Sequence, residues 1–581
     1  MTQFLIHNMA PLMFASLIVV MLLGYPVAFA LAACGIFFGL LGVELGLLQP
    51  SLFQALPQRI WAIMSNDTLL AVPFFTFMGL ILERSGMAED LLDTVGQLFG
   101  PLRGGLAIAV IFVGALLAAT TGVVAASVIS MGLISLPIML RYGYDRRFAT
   151  GAIAASGTLA QIIPPSLVLI VMADQLGKSV GDMYAGAFLP GVVLMGLYAA
   201  YAVGVTIFKP SWAPALPPEA RMFREANGSS GVPSLIVVFL LALAAAYAFA
   251  RYKYGAPDAP MDEMLVVSTA VGVGLAFLMA LVNHLLKLGL LSRIAERVTF
   301  VLIPPLLLIF LVLGTIFLGV ATPTEGGAMG ATGALVMAIV RRRLSISLLR
   351  QAMNSTAKLT SFVVFILVGA RVFSLTFYGV DGHIWVEHLL TGLPGGQIGF
   401  LIVVNVLVFV LAFFLDFFEL AFIIIPLLGP AAEKLGIDLI WFGILLSINM
   451  QTSFMHPPFG YALFYLRSVA SPKDYVDRVT GKVTAKVTTG QIYWGAVPFV
   501  LIQLVMVGLV IALPGIVSGG LAKKALINTD KIEIMIPDSG SGAEGKAEDA
   551  MERALNKALG GGGGGAGKAP EPAAAPADKS K

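Results

Sequence analysis

Residues 143–166 read GYDRRFATGAIAASGTLAQIIPPS, and residues 436–459 read GIDLIWFGILLSINMQTSFMHPPF. At a spacing of 293 residues, Gly143 and Asp145 fall on Gly436 and Asp438, Ser156 on Asn449, and Pro164-Pro165 on Pro457-Pro458. Upstream, Pro137 falls on Pro430, and at a spacing of 297 Pro26 falls on Pro323. One such match between two apolar, Gly/Pro-containing stretches is what chance supplies. A shared G-x-D followed at one distance by a proline pair is not. The chain therefore contains two copies of one unit, a hallmark of secondary transporters.

Composition says where such a fold lives. Of 581 residues, 58% are hydrophobic and 12% charged, and mean hydropathy is +0.91. Soluble domains run at about 45–50% apolar and roughly 25% charged, so this excess of apolar surface must face lipid. A net charge of +3, without a basic patch interleaved with aromatics, excludes nucleic-acid binding. The single cysteine, Cys34, lies in an apolar run and reads as a small buried residue, so no intrachain disulfide builds the fold. Met1 to Met9 lacks Lys and Arg, so the apolar run from Met9 reads as a first span rather than a cleavable signal.

Apolar segments of spanning length continue to about Val517. Residues 9–43 read as two short spans meeting at Gly24-Tyr25-Pro26, 52–64 as an interfacial helix and 67–83 as a span. Residues 87–100, with Glu89, Asp90 and Asp93 among leucines, read as a surface helix. Segments 105–140 and 146–175 are interrupted, at Thr120-Thr121-Gly122 and at Gly157 to Pro165. Spans follow at 183–207, 233–250, 263–285, 299–320, 324–340 and 358–378. Interrupted segments at 398–432 and 438–466 and a last span at 492–515 complete the set.

Lys and Arg mark cytoplasmic ends. Arg103 precedes the 105–140 segment and Arg141, Arg146 and Arg147 follow it, which makes it a re-entrant hairpin with both ends inside. Arg341-Arg342-Arg343 ends the 324–340 span inside, so the matching segment 398–432 has both ends outside. Segment 438–466 then returns to Arg467, Lys473, Arg478, Lys482 and Lys486. The repeats are thus upside-down relative to one another, and 233–285 is an insertion that preserves parity. The expected fold is an all-α polytopic membrane protein, an inverted-repeat transporter with two re-entrant hairpins and about twelve transmembrane helices. The expected parts are a first repeat at 1–208, an insertion at 209–298, a second repeat at 299–517 and a mostly disordered, Gly/Ala/Pro-rich tail at 518–581.

Backbone at membrane depth must satisfy its own polar groups unless it lines a protected polar site. The interruptions are therefore the candidate sites. Hydroxyl and amide oxygens, with carbonyls freed by proline, suit a dehydrated alkali cation. The candidates for it are Thr120, Thr121, Gly122, Ser156, Gly157, Thr158, Asp416, Asn449, Gln451 and Thr452. Half-helix N-termini suit an anionic solute, with Pro164, Pro165, Ser166, Ser453, His456, Pro457 and Pro458 as candidates. The bland alternative is a set of kinks with Ser and Thr bonded back to carbonyls. Recurrence at matching points of both repeats favours function.

Asp416 either neutralises a cation or sits at a wet hairpin tip. Glu325 reads as a helix N-terminal residue. His456 reads as a structural hydrogen-bonder, because no second His, Cys or carboxylate stands at metal spacing, so no metal beyond an alkali cation is expected. No G-x-x-x-x-G-K-[ST] loop, nucleophile elbow or metalloprotease pattern occurs, and no enzyme is expected.

Several of these stretches together resemble the large permease (DctM-type) subunit of TRAP transporters. Gly24-Tyr25-Pro26-Val27-Ala28-Phe29, Pro73-Phe74-Phe75 with Gly79, and Arg84-Ser85-Gly86 carry the resemblance at the start. Ala154-Ala155-Ser156-Gly157-Thr158 through Ile163-Pro164-Pro165-Ser166, and Ala185 to Gly191, carry it in the first repeat. Ala321-Thr322-Pro323-Thr324-Glu325 and Phe442-Gly443 through Pro457-Pro458-Phe459-Gly460 carry it in the second. It extends over nearly all of 10–515 outside the 210–290 region. It implies an elevator-type fold, sodium as coupling ion with no other cofactor, and cation sites at hairpin tips and helix breaks. It also implies a small four-helix membrane partner (DctQ-type), a periplasmic solute-binding protein and a carboxylate-bearing solute. Two positions depart from the family pattern: the first hairpin tip reads Thr120-Thr121-Gly122-Val123 where Ser-Gly-Ser is usual, and His456 replaces a usual Thr. The latter resembles a longer branch labelled for mannitol or chloroaromatic compounds. The competing readings are a stand-alone elevator symporter and, from another class, a channel or membrane scaffold.

Overall fold

The computed structural model describes residues 2–519 apart from 222–224, 226–229, 256–260, 458, 459 and 478. The tail expected to be disordered lies outside these residues from position 520 onward. The first repeat opens with α1 (Thr2–His7), α2 (Met9–Leu22), α3 (Val27–Glu44), α4 (Leu56–Met64), α5 (Ala71–Arg84) and α6 (Met87–Phe99). A hairpin follows, α7 (Gly105–Thr121) and α8 (Val124–Arg141), then a broken helix, α9 (Arg146–Thr158) and α10 (Leu167–Leu176), and α11 (Val180–Phe208). The insertion is α12 (Val232–Lys253) and α13 (Met261–Leu286).

The second repeat repeats the plan. It runs α14 (Arg293–Phe317), α15 (Pro323–Val340), α16 (Ile346–Gly379) and α17 (Gly382–Thr391), then a hairpin of α18 (Gly396–Leu411), α19 (Phe417–Ile423) and α20 (Ile425–Lys434). A broken helix, α21 (Leu439–Met450) and α22 (Tyr461–Val469), precedes α23 (Thr489–Ala512) and a final turn, α24 (Gly515–Ser518). Among the described residues, eight helices are long and apolar enough to cross a membrane alone, or up to ten if each of two bent pairs is one span. Shorter apolar helices lie at Met9–Leu22, Gly105–Ala119, Leu167–Leu176 and Leu439–Phe454.

The G-x-D motif explains how each repeat turns from hairpin into broken helix. Gly143 and Gly436 are left-handed, with φ of 82° and 72°, a conformation that L side chains resist. Two residues on, Asp145 accepts the amides of Arg147 and Phe148, and Asp438 accepts that of Trp441. Each aspartate thereby satisfies amides that a helix start leaves unpaired. Thr322 and Glu325 form a capping box at the start of α15, the helix N-terminal role expected for Glu325.

The two repeats pack reciprocally. α3 lies on α16 and α15 on α5, and α9 lies on α23 and α21 on α11. α10 packs on α19 and α20 while its counterpart α22 packs on α8. Inversion is visible at one end of the molecule. Arg146 at the start of α9 donates to the Ala485 carbonyl, and Arg467 near the end of α22 donates to that of Val487, in the same loop. One broken helix therefore starts where the other finishes. α9 is buried at every position from Phe148 to Thr158, and α21 from Phe442 to Met450, so these two form the centre. Glycines let the backbones close up: a Cβ on Gly151 would meet the Gly495 carbonyl, and one on Gly35 would lie 2.8 Å from that of Val372.

Four parts escape the sequence reading: α1, α17, the first turns of α16, and a two-residue strand pair in which Tyr475 faces Thr484 and Val476 faces Val483. The surface helix α6 has Leu91 and Leu92 buried, and two of its acids are paired. Asp93 meets Arg297 at 2.9 Å, and Asp90 meets Arg341 and Arg343 at 3.2 Å each. The strand-pair loop is tied down by Arg141, whose Nε lies 2.8 Å from Asp477 Oδ2. This bond, with the Thr480 and Val479 amides, holds the Asp477 carboxyl at about 2.

Two outcomes follow. Gly151→Val and Gly495→Val each force two backbones apart, at a cost of about 1–3 kcal/mol or more. The melting temperature of the detergent-purified protein should fall for both and hold for Gly196→Ala, whose Cβ meets nothing within 4 Å. Because the folded Asp477 value lies below that of a free carboxyl, ~3.9, its stabilisation is present above that range and lost only as pH falls toward 2. Hydrogen-exchange protection of the 475–484 strand pair, corrected for intrinsic rates, should be equal at about pH 7 and about pH 6 in the wild type. Asp477→Asn should lower it at both.

Candidate functional site

The hairpins and breaks are where regular helix stops inside the bundle. In the first hairpin α7 ends on Gly122, left-handed at φ 58°, and Val123 is extended before α8 begins. In the second, Asp416 occupies the corresponding position, 293 residues on. It accepts the Glu419 amide at 2.8 Å while Glu419 Oε2 accepts the Asp416 amide at 2.8 Å, a reciprocal cap for α19.

In the first break, α9 tightens into a 3₁₀ turn at Leu159–Gln161, and the chain passes through Pro164 and Pro165, joined by a cis peptide, to Ser166. Ser166 accepts the Val168 amide to cap α10 and donates to the Gln161 carbonyl at 2.6 Å. In the second break the 3₁₀ turn is Gln451–Phe454, and α22 starts after Gly460. Pro164 and Pro165 are not helical, and neither are His456 and Pro457.

All four irregular segments border one cavity of about 370 Å³. Its walls carry the first residues of four helices: Val124 and Ala125 of α8, Leu167 and Val168 of α10, Phe417 and Phe418 of α19, and Tyr461 of α22. Gly122, Asp416, Gln161 and Tyr465 supply polar atoms, and Phe454, Leu359 and Phe362 supply apolar wall. Among the described residues, Asp416 is the one charged side chain on this lining.

The other candidates divide into three groups. Thr158 and Gln451, which are repeat counterparts, touch: Gln451 Nε2 donates to Thr158 Oγ1 at 3.1 Å. Asn449 donates to the carbonyl and side-chain oxygens of Asn405, at 2.7 and 2.9 Å. Ser156, Thr158 and Thr452 each also donate to a carbonyl three residues back in their own helix. Those bonds are the back-bonding of the bland alternative, and they leave the hydroxyl oxygens able to accept. Gly157 supplies room: a Cβ there would press on the Val128 side chain and lie 3.2 Å from its amide, so the position lets α8 close on α9.

Ser453 is buried, and His456 stacks on Phe413 at 4.1 Å and meets Phe409 edge-on at 4.5 Å. Pro457 is half-buried and Pro458 lies outside the described residues, as do the side chains of Thr120 and Thr121, which end α7. Sequence reading passed over Gln161, Asn405, Tyr198 and Gln503. Each of the three amides is a lone polar residue in an apolar run, which is the available signal. Asn405 meets Asn449 and Gln503 meets Tyr198, partners on other elements that no local pattern shows.

Comparison with known proteins gives the family. Residues 14–516 match the family described as "Tripartite ATP-independent periplasmic transporter, DctM component". The chain is similar to the "C4-dicarboxylate TRAP transporter large permease protein DctM" of Pseudomonas aeruginosa, 28% identical over 477 residues, covering 81% of this chain and 90% of that one. It is also similar to the "Ectoine/5-hydroxyectoine TRAP transporter large permease protein UehC" of Ruegeria pomeroyi, 25% identical over 485 residues, covering 81% and 92%. A solved structure, the YdaH transporter of Alcanivorax borkumensis, aligns at TM-score 0.47 and 13% identity over 81% of this chain and 90% of that one. Two inverted repeats, a helical membrane fold and a family match spanning both repeats agree: the chain belongs to the DctM family of TRAP transporter large permeases and is a multi-pass inner-membrane transport protein.

Proposed function

We propose that this permease is the large subunit of a sodium-gradient-driven, binding-protein-dependent importer, which moves a small carboxylate-bearing solute by an elevator mechanism. The observation that carries the reading is the single cavity bordered by both hairpin tips and both helix breaks. Positive helix ends at α8, α10 and α22 favour an anion there. The fourth helix start, α19, is already capped by its own carboxylates, Asp416 and Glu419.

The same cavity therefore offers an anion three positive helix ends and one carboxylate. In a low-dielectric site, the solute and Asp416 repel unless a cation lies near. That is a physical reason for coupling: sodium bound near Asp416 and the Gly122 tip makes room electrostatically for the solute, and the oxygens of Ser156, Thr158, Asn449, Gln451 and Thr452 at the helix breaks are further candidate cation ligands. Ser166 and Ser453, beside the proline pairs and His456, stand on the solute side of this arrangement. The pseudo-symmetric design supports alternating exposure of one fixed site by movement of the hairpin–break unit as a body. The relatives' names support the solute class, since dicarboxylates and ectoine all bear carboxylates. The family description supports two partners, a small DctQ-type membrane subunit and a periplasmic solute-binding protein. The solute crosses unchanged, with no enzymatic step.

Proteoliposomes holding the permease, its small subunit and solute-loaded binding protein provide the test. Uptake is expected under an inward sodium gradient and not when choline replaces sodium. Asp416→Asn should raise the half-saturating sodium concentration by about tenfold, ~1.4 kcal/mol. Equal uptake in choline would contradict sodium coupling.

A further inference from the structure

The hairpin-tip cavity is walled largely by rings. Six of its lining residues are aromatic: Phe362 of α16, Phe417 and Phe418 of α19, Phe454 of the second break, and Tyr461 and Tyr465 of α22. The rings also meet one another. Phe362 lies edge-on to Phe418 with centroids 6.3 Å apart, and Tyr461 stacks on Tyr465 at 6.4 Å. Among the described residues the lining holds no Arg or Lys, and its one charge is the Asp416 carboxylate. Besides the tyrosines, the uncharged polar side chain on the lining is Gln161. It is 4% exposed, and its Oε1 is buried without a hydrogen-bonding partner. Native proteins seldom leave such an atom unsatisfied. An amide on a cavity wall offers a guest a neutral donor and a neutral acceptor.

These features discriminate among carboxylates. One carboxylate is matched by the positive starts of α8, α10 and α22 and by the Gln161 amide. A second carboxylate on the same solute has no cationic side chain to meet. It lies against aromatic wall or near Asp416, and an unpaired charge out of water is costly. Sodium that offsets Asp416 leaves nothing over for it. A flat apolar body fits the same walls well. It buries apolar area, and its faces and edges pack on Phe362, Phe418 and Tyr465 in the offset or edge-on arrangements that aromatic pairs prefer. We propose that the cavity selects a monocarboxylate bearing an aryl ring over a dicarboxylate, with Phe362, Phe418 and Gln161 setting the preference. The inference rests on the reading of this cavity as the solute site and narrows the solute class named there.

The test uses the complete permease in detergent and sodium chloride, with benzoate, succinate and benzyl alcohol as probes. Melting temperature followed against probe concentration gives an apparent Kd for each. Benzoate should raise the melting temperature. Succinate, and benzyl alcohol, which keeps the ring without the charge, should each bind about tenfold more weakly or less. Gln161→Leu and Phe418→Leu should each weaken benzoate about fivefold. Phe362→Leu, on a different element, decides the matter if Phe418→Leu does not fold. Succinate binding as tightly as benzoate, and weakened by Gln161→Leu, overturns the aryl class and leaves the cavity as the solute site. Benzyl alcohol matching benzoate reduces the effect to ring burial and overturns it too, as does a wild type that neither acid shifts. Benzoate binding that is unchanged in every variant removes the solute site from this cavity and overturns both readings.

Discussion

The structure depends on one packing constraint: the second half of each broken helix rests on the other repeat's hairpin. α10 lies on α19 and α20, and α22 lies on α8. Neither repeat can complete the region alone, because each lacks the surface that its own half-helix must cover. With inversion, this exchange brings the starts of α8, α10, α19 and α22 to one cavity and the ends of α9 and α21 to one junction. Opposite helix ends thus collect at two neighbouring places. That separation of dipole sign follows from topology rather than from charged side chains, of which the cavity lining holds only Asp416 among the described residues.

Such breaks are held by hydroxyls and carboxylates that bond the freed backbone groups from within. Ser156, Thr158, Thr452 and Ser166 hydroxyls donate to nearby carbonyls. Asp416 and Ser166 accept helix-start amides that lipid could not. The same hydroxyls keep accepting capacity, so the irregular backbone is both self-supporting and able to take a ligand. Kink and site are therefore not alternatives at these positions.

Much of this was legible in the sequence because the repeat is written in residues that dictate backbone. Gly143 and Gly436 recur for their positive φ, Asp145 and Asp438 for their caps, and the prolines for the donors they lack. Those requirements persist while neighbouring side chains diverge, as Val123 and Asp416 do at matching hairpin tips. α17 was not legible because its His383, Glu387 and His388 dilute the apolar signal over ten residues, and the strand pair is two residues long on each side. The roles of Gly157, Asn405 and Gln503 depend on neighbours 29 to 305 positions away, in Val128, Asn449 and Tyr198. No pattern along the chain displays such distances.

The central claim is that both hairpin tips face one space. Val123→Cys and Phe418→Cys, placed together in a Cys34→Ala background, put one thiol on each tip, and both positions line the cavity. Cross-linking by mercuric ion in membranes, with uptake followed in parallel, measures the juxtaposition directly. The account predicts an intramolecular cross-link that stops transport and is reversed by excess thiol. Two thiols that label freely with lipid-soluble maleimide and never cross-link would contradict it.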